Sequence, residues 1–137
     1  MLKPRQYTKT KPTQVECTAS MAAIQDTLYV LGGKWKLLII IALMDSEGPR
    51  RFKELQRAVK GITPKVLSKE LKELEMNYFV TRTVYDTAPV SVEYELTDYS
   101  MSLDKVLQAM REWGLQHRKR LMACSKARRA RQSEAAH

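Results

Sequence analysis

Two short amphipathic helical patterns with almost nothing between them, followed at once by two alternating strands, constrain this chain more than any other feature. The first pattern runs from Pro49 to Val59 and the second from Thr63 to Leu74, with only Lys60-Gly61-Ile62 between them. The strands follow as Val80 to Tyr85 and Val90 to Leu96, around a short turn holding Pro89. Phe52, Leu55 and Val59 recur at helical spacing and give the first helix its buried stripe, while Arg50-Arg51-Phe52 is suited to a short strand beside the hairpin. Thr63 suits an N-cap and Pro64 the first helical position. Val66 or Leu67, Leu71 and Leu74 then share one face, whereas Lys65, Ser68 or Lys69, and Lys72 share another. In the second strand Val90, Val92, Tyr94 and Leu96 alternate with Ser91, Glu93, Glu95 and Thr97. A tight helix pair with a leucine-backed, lysine-faced second helix and a hairpin behind it is a winged helix-turn-helix. That shape lays the second helix in the major groove of duplex DNA with the hairpin beside it.

The charge is placed to match. Of the net +9, residues 1–19 carry +3 and residues 118–137 carry +6, so the span 20–117 is neutral. Within that span the charge is segregated, with +5 over residues 50–82 and −4 over residues 83–117. A DNA-binding protein needs a basic face rather than a uniformly basic body. A length of 137 residues fits one domain with a real core. The longest apolar run, Leu37 to Met44, falls far short of a membrane span, and the polar N-terminus has no apolar stretch of a secretory signal behind it. These features predict a cytoplasmic protein without a membrane partner.

The remaining elements are helical, so the expected fold class is mainly α with a small β-hairpin, a winged helix-turn-helix with terminal dimerisation helices. Residues 1–16 read as a flexible basic arm, 17–122 as the domain, and 123–137 as a basic disordered tail. A first helix is expected to start near Thr18 or Ser20 and to end at Gly32-Gly33, with Met21, Ile24, Leu28 and Leu31 at helical spacing. Trp35 to Met44, apolar almost all round, reads as the central core helix. A last helix over roughly residues 98–122 repeats Leu103, Val106, Leu107, Met110, Trp113 and Leu121. Its stripe comes after the domain is closed and needs a partner: the first helix, together with the same pair from a second subunit.

These residues carry a family likeness. Leu31-Gly-Gly-Lys-Trp-Lys-Leu-Leu-Ile39 resembles the signature of the HxlR family of bacterial transcription regulators. So do Arg51-Phe52-x-x-Leu55, Gly61-Ile62-Thr63, Val66-Leu67-Ser68-x-x-Leu71-x-x-Leu74, Val92-x-Tyr94-x-Leu96-Thr97 and Trp113-Gly114, which together cover about residues 17–115. The resemblance implies a winged helix-turn-helix related to the MarR type, a homodimer built from terminal helices and binding to palindromic operators. It also implies a candidate sensor of oxidants or electrophiles at Cys17, since several members carry such a cysteine just before the first helix. Three positions depart from the pattern. Asn77 stands where a turn glycine is usual, Ser100 where Gly is common, and Thr18 follows Cys17 where many members have Pro.

On this reading Thr63, Lys65, Ser68, Lys69 and Lys72 contact DNA from the second helix, and Arg50, Arg51 and Arg82 contact it from beside the hairpin. Glu70, Glu73 and Glu75 pair with neighbouring lysines. Ile24, Leu28, Leu103, Val106, Leu107, Met110 and Trp113 form the dimer interface. Cys17 at a helix N-terminus has reason for a lowered thiol pKa, against the alternative of an unreactive residue in the seam. Two Cys and two His without close spacing make no metal site, and no catalytic constellation is present, so neither metal, cofactor nor enzymatic activity is expected. The expected function is a homodimeric, sequence-specific regulator of transcription, with double-stranded DNA, a second copy of itself and a small-molecule or oxidant effector as partners. The alternative is a winged-helix module for protein–protein or RNA contact.

Overall fold

The computed structural model describes residues 14–136. Helix α1 spans Gln14–Leu31 and α2 spans Lys36–Met44, bent 74° from the first across the intervening glycines. Strand β1 (Arg50–Arg51) leads into α3 (Phe52–Ala58), and α4 (Pro64–Met76) follows. The hairpin β2 (Val80–Tyr85) and β3 (Ser91–Leu96) comes next, then a 3-10 turn over Asp98–Leu103 and helix α5 (Asp104–Ala135). The sheet is antiparallel with order β1-β3-β2, so Arg50-Arg51 does form the short strand expected beside the hairpin.

The core lies where α2, α3 and α4 meet the sheet. Ile39, Ile40, Leu55, Leu67, Leu71 and Leu74 are its fully buried side chains. Gly61 adopts a left-handed φ of 88°, which lets the chain turn sharply between α3 and α4 at no steric cost. At the other end of α4, two hydrogen bonds close a Schellman motif: Phe79 N–H donates to Leu74 O and Tyr78 N–H to Glu75 O. Phe79 thereby enters the core, and Ser100, itself fully buried, donates its hydroxyl to the Phe79 carbonyl.

Three expectations change. Helix α1 already includes Gln14, ahead of the start expected near Thr18 or Ser20, since no proline or glycine interrupts the chain from Gln14 to Leu31. Of the expected arm, residues 1–13 lie outside the described residues, and Gln14–Glu16 belong to α1. Helix α5 continues to Ala135 instead of ending near residue 122, since alanine, arginine, lysine and glutamine favour the helix and no glycine or proline follows Gly114. The central helix α2 is buried on most sides, as its composition predicts, but it keeps one narrow exposed stripe at Leu38 and Ile41, opposite the buried Ile39, Ile40 and Leu43. Finally, the left-handed position after α4 is taken by Tyr78, at φ 64°, and not by Asn77. Asn77 remains at φ −94° and caps the helix through its side-chain amide, which donates to Glu73 O.

Candidate nucleic-acid interface

Helix α4 is built as a two-sided element. Thr63 is its N-cap, with Oγ1 accepting from Val66 N–H at 3.3 Å, and Pro64 opens the helix as the sequence predicts. Leu67, Leu71 and Leu74 are buried behind it, while Thr63, Lys65, Ser68, Lys69 and Lys72 are exposed in front. The hydroxyl of Thr63 is thus engaged in capping, whereas the three lysines form no ion pair among the described residues.

A residue outside the sequence-derived site fixes this helix in place. Lys36, buried at the start of α2, reaches across the core with Nζ 2.6 Å from Glu70 Oε2 and 2.6 Å from Glu73 Oε2. Burial alone would pull the Lys36 pKa down, but hydrogen bonds and charge from the two carboxylates outweigh it and leave the pKa raised. Glu73 is held below the ordinary carboxylate range, chiefly by its hydrogen bond to Lys36. Glu70 and Glu73 therefore bond α4 to α2, instead of pairing with lysines of their own helix. Their negative charge is answered from behind, and the exposed side of α4 keeps its positive potential. The sequence held a signal for this: a single lysine inside an apolar helix, and two glutamates at i, i+3 between the leucines.

The sheet divides the three candidate arginines. Arg50 and Arg82 both lie opposite Tyr94 in the register, so they flank it on one face. Arg51 lies opposite Glu93, on the other face. The fold thus puts Arg50 and Arg82 on one face of the sheet, on its two outer strands with Tyr94 between them, and sets Arg51 on the other face opposite Glu93.

The candidate seam residues also separate. Leu103 is buried inside the protomer and Leu107 is half-buried against the same core, which removes Leu103 from any surface a second copy could touch. Ile24 (58% exposed), Leu28 (63%), Met110 (52%) and Trp113 (66%) stand on the surface, as does Val106, and Trp113 stacks on His117 with ring centroids 4.9 Å apart. The backbone of Cys17 lies in the first turn of α1, and its side chain lies outside what the structure describes. Cys124 is free and exposed on α5. Among the described residues no group of His, Cys, Asp and Glu could hold a metal ion, and no single helix is long and apolar enough to cross a membrane.

Comparison with known proteins agrees with this architecture. The model of the HxlR-like helix-turn-helix family matches residues 30–122. The HTH-type transcriptional regulator YtcD of Bacillus subtilis is 41% identical over 95 residues, covering 69% of this chain and 74% of that protein. YodB of the same organism, also an HTH-type transcriptional regulator, is 42% identical over 90 residues, or 66% and 79% of the two chains. Among solved structures, the redox regulator HypR in its reduced form is 38% identical, with a TM-score of 0.67 over 74% of this chain and 98% of that one. The reduced form of YodB superposes with a TM-score of 0.59 at 42% identity, over 66% and 87%. With the family match spanning the helix pair, the hairpin and most of the terminal helix, the chain belongs to the HxlR-like helix-turn-helix family and is a transcriptional regulator of that type rather than an enzyme.

Proposed function

We propose that this regulator acts in the cytoplasm as a homodimer that reads a palindromic operator in double-stranded DNA, with α4 in the major groove and the hairpin beside it. One observation carries the reading. Helix α4 buries three leucines, is tied to α2 through Lys36, and turns Lys65, Ser68, Lys69 and Lys72 outward on a rigid surface. Lysines so held can neutralise phosphates or reach a guanine edge, and Ser68 can donate or accept at several bases. On the hairpin side Arg50 and Arg82 supply the backbone contact, with Arg51 secondary. The second subunit covers the exposed apolar residues of α1 and α5.

The test is footprinting on genomic fragments with wild type and the Lys65→Ala/Lys69→Ala/Lys72→Ala variant. Wild type should give a protected region with two-fold symmetry. Single replacement of Lys65 or Lys69 should cost about 1–3 kcal/mol of operator affinity where the side chain reads a base, with relaxed preference there. An intact, folded triple variant that still protects the same sequence overturns the assignment of α4 as the reader.

The solved relatives include HypR in oxidised and reduced forms and YodB treated with diamide or bound to quinone. For this chain, we propose a redox or electrophile response through Cys17, whose place in the first turn of α1 supports it.

A further inference from the structure

The last part of α5 has a charge pattern that the helix-turn-helix does not explain. The family match stops at residue 122, yet the helix continues to Ala135 with every residue exposed. From residue 118 onward it carries seven Lys and Arg against one acidic residue, Glu134, and none of the seven is in an ion pair among the described residues.

Helical spacing sorts these charges. At about 100° per residue, Arg111, Arg118, Lys126 and Arg129 fall within a stripe roughly 80° wide, with Leu115 and Met122 between them. That stripe lies on the opposite side of α5 from Val106, Met110 and Trp113, so it stays open when the apolar seam is covered. On the seam side Leu121 and Cys124 follow Trp113, interleaved with Arg120, and past Cys124 only Arg128 and Arg131 remain large there. Two copies that extended their pairing past Cys124 would bring these arginines against like charge. The large apolar side chains of the extension are Leu121 and Met122, which are exposed but lie about 100° apart around the helix, so they form no continuous apolar face for a bilayer to bury. What fits is a polyanion that meets charge on all sides of the helix.

We propose that the α5 extension, residues 118–135, is a second DNA-binding surface that contacts the phosphate backbone of duplex DNA without regard to sequence. It rests on duplex DNA being the target of α4, and it assigns a different role: α4 selects the site, and the extension adds affinity on any duplex. Each phosphate neutralised releases condensed counterions, so the extension contributes most at low salt and makes binding more salt-dependent. It raises the dwell of the dimer on non-operator DNA and so its supply to the operator.

The experiment uses the full chain and the Lys126→Gln/Arg128→Gln/Arg129→Gln/Arg131→Gln variant, in which glutamine preserves helix propensity. Binding to the operator and to a scrambled duplex of equal length is measured from about 50 to 200 mM salt, the range over which phosphate binding weakens most. The variant should bind the scrambled duplex at least tenfold more weakly at the low end. Its plot of log affinity against log salt should flatten by about one for each phosphate that is no longer neutralised, while the operator-to-scrambled ratio holds. Equal slopes and equal affinities for the scrambled duplex overturn the proposal. So does binding to phosphatidylserine vesicles that the variant loses while its duplex slope is unchanged, which would make the extension a lipid contact. The Lys65→Ala/Lys69→Ala/Lys72→Ala variant separates the two assignments. It should lose the operator-to-scrambled ratio and keep the salt-dependent binding to scrambled duplex, so a failure of either surface is read on its own.

Discussion

Tyr78 is the one described non-glycine residue with a left-handed backbone, at φ 64°, and it stands where a Schellman motif favours glycine. A side chain there crowds the following carbonyl, at a cost of about 1–2 kcal/mol. Its ring is 77% exposed, so little packing is recovered in exchange. Its backbone, in contrast, is used: Thr97 Oγ1 donates to Tyr78 O, and the residue's N–H closes the helix. Tyr78→Gly keeps both backbone contacts and removes the crowding, so it should raise stability by about 1 kcal/mol, less what glycine adds to the entropy of the unfolded chain. Thermal unfolding checks this; a lower midpoint would mean that the Tyr78 ring makes a contact the isolated protomer does not contain. The sequence alone points to Asn77 for this turn, because asparagine tolerates a left-handed φ. The hydrogen bonds decide otherwise, because an asparagine at the preceding position caps the helix through its amide.

At the scale of elements, the orientation of α4 depends on the Lys36 ion pair. The side chains of Lys36 and Glu70 are 10% and 14% exposed, whereas that of Glu73 is 40% exposed. Lys36→Met leaves two carboxylates without their cation in a largely apolar setting, and breaking one side of such a pair costs roughly 3 kcal/mol. Adding Glu70→Gln should recover much of it, because the more buried charge is then gone. The acid limb should change as well. The Glu73 pKa is depressed in the folded protein, so its contribution to stability is present above the ordinary carboxylate range and is lost as pH falls through the folded pKa. In Lys36→Met only the weaker attraction of Lys69 still holds Glu73 down, so stability should fall less steeply with acid. Denaturant melts of both proteins from neutral pH down to pH ~3, below the ordinary carboxylate range, measure the difference; parallel curves would show that Glu73 is held by something else.

The elements themselves were legible because each is signalled locally. Thr63-Pro64 caps α4, the leucines recur on its back, and the hairpin alternates through Val92, Tyr94 and Leu96. What the sequence could not show was contact between distant segments. Lys36 meets Glu70 and Glu73 across 34 and more residues, and Leu103 goes to the core rather than the seam because the 3-10 turn before α5 swings it inward. Arg50 and Arg51 look equivalent as neighbours. Pairing with β3 places them on opposite faces of the sheet.

For the whole molecule, the two terminal helices carry a large share of the exposed apolar surface. Met21, Ile24, Leu28 and Tyr29 on α1, and Met110 and Trp113 on α5, are each more than half exposed in the single chain. Leaving that much apolar area in water costs about 25 cal/mol per Å2, which a second subunit can recover. In such a dimer the two α4 helices should lie about 34 Å apart, one turn of DNA. Trp113→Glu places a charge in the seam, and light scattering should find it monomeric at micromolar concentration where wild type is dimeric. Operator affinity should fall with it, because one protomer holds only a half-site. A Trp113→Glu protein that remains dimeric would move the seam elsewhere.

The proposed response of Cys17 depends on the same proposed seam. Cys17 precedes Ile24 by two helical turns and Leu28 by three, so it shares their face of α1. It lies toward the N-terminal end of α1, where the helix dipole favours a negative charge. On the proposed reading this favours the thiolate that such a response needs. Addition of that thiolate to a quinone ring forms a carbon–sulfur bond and attaches the whole ring beside the seam. We propose that bulk at that place would tilt α1 against its partner helix and change the spacing of two reading helices that must match two half-sites at once. Operator binding before and after quinone, in wild type and Cys17→Ser, tests the chain of events. Release in wild type and none in Cys17→Ser is the expected result, with Cys124→Ser behaving as wild type. If both proteins release equally, or if Cys17 resists alkylation in the folded dimer, the residue is structural and any effector acts at another place.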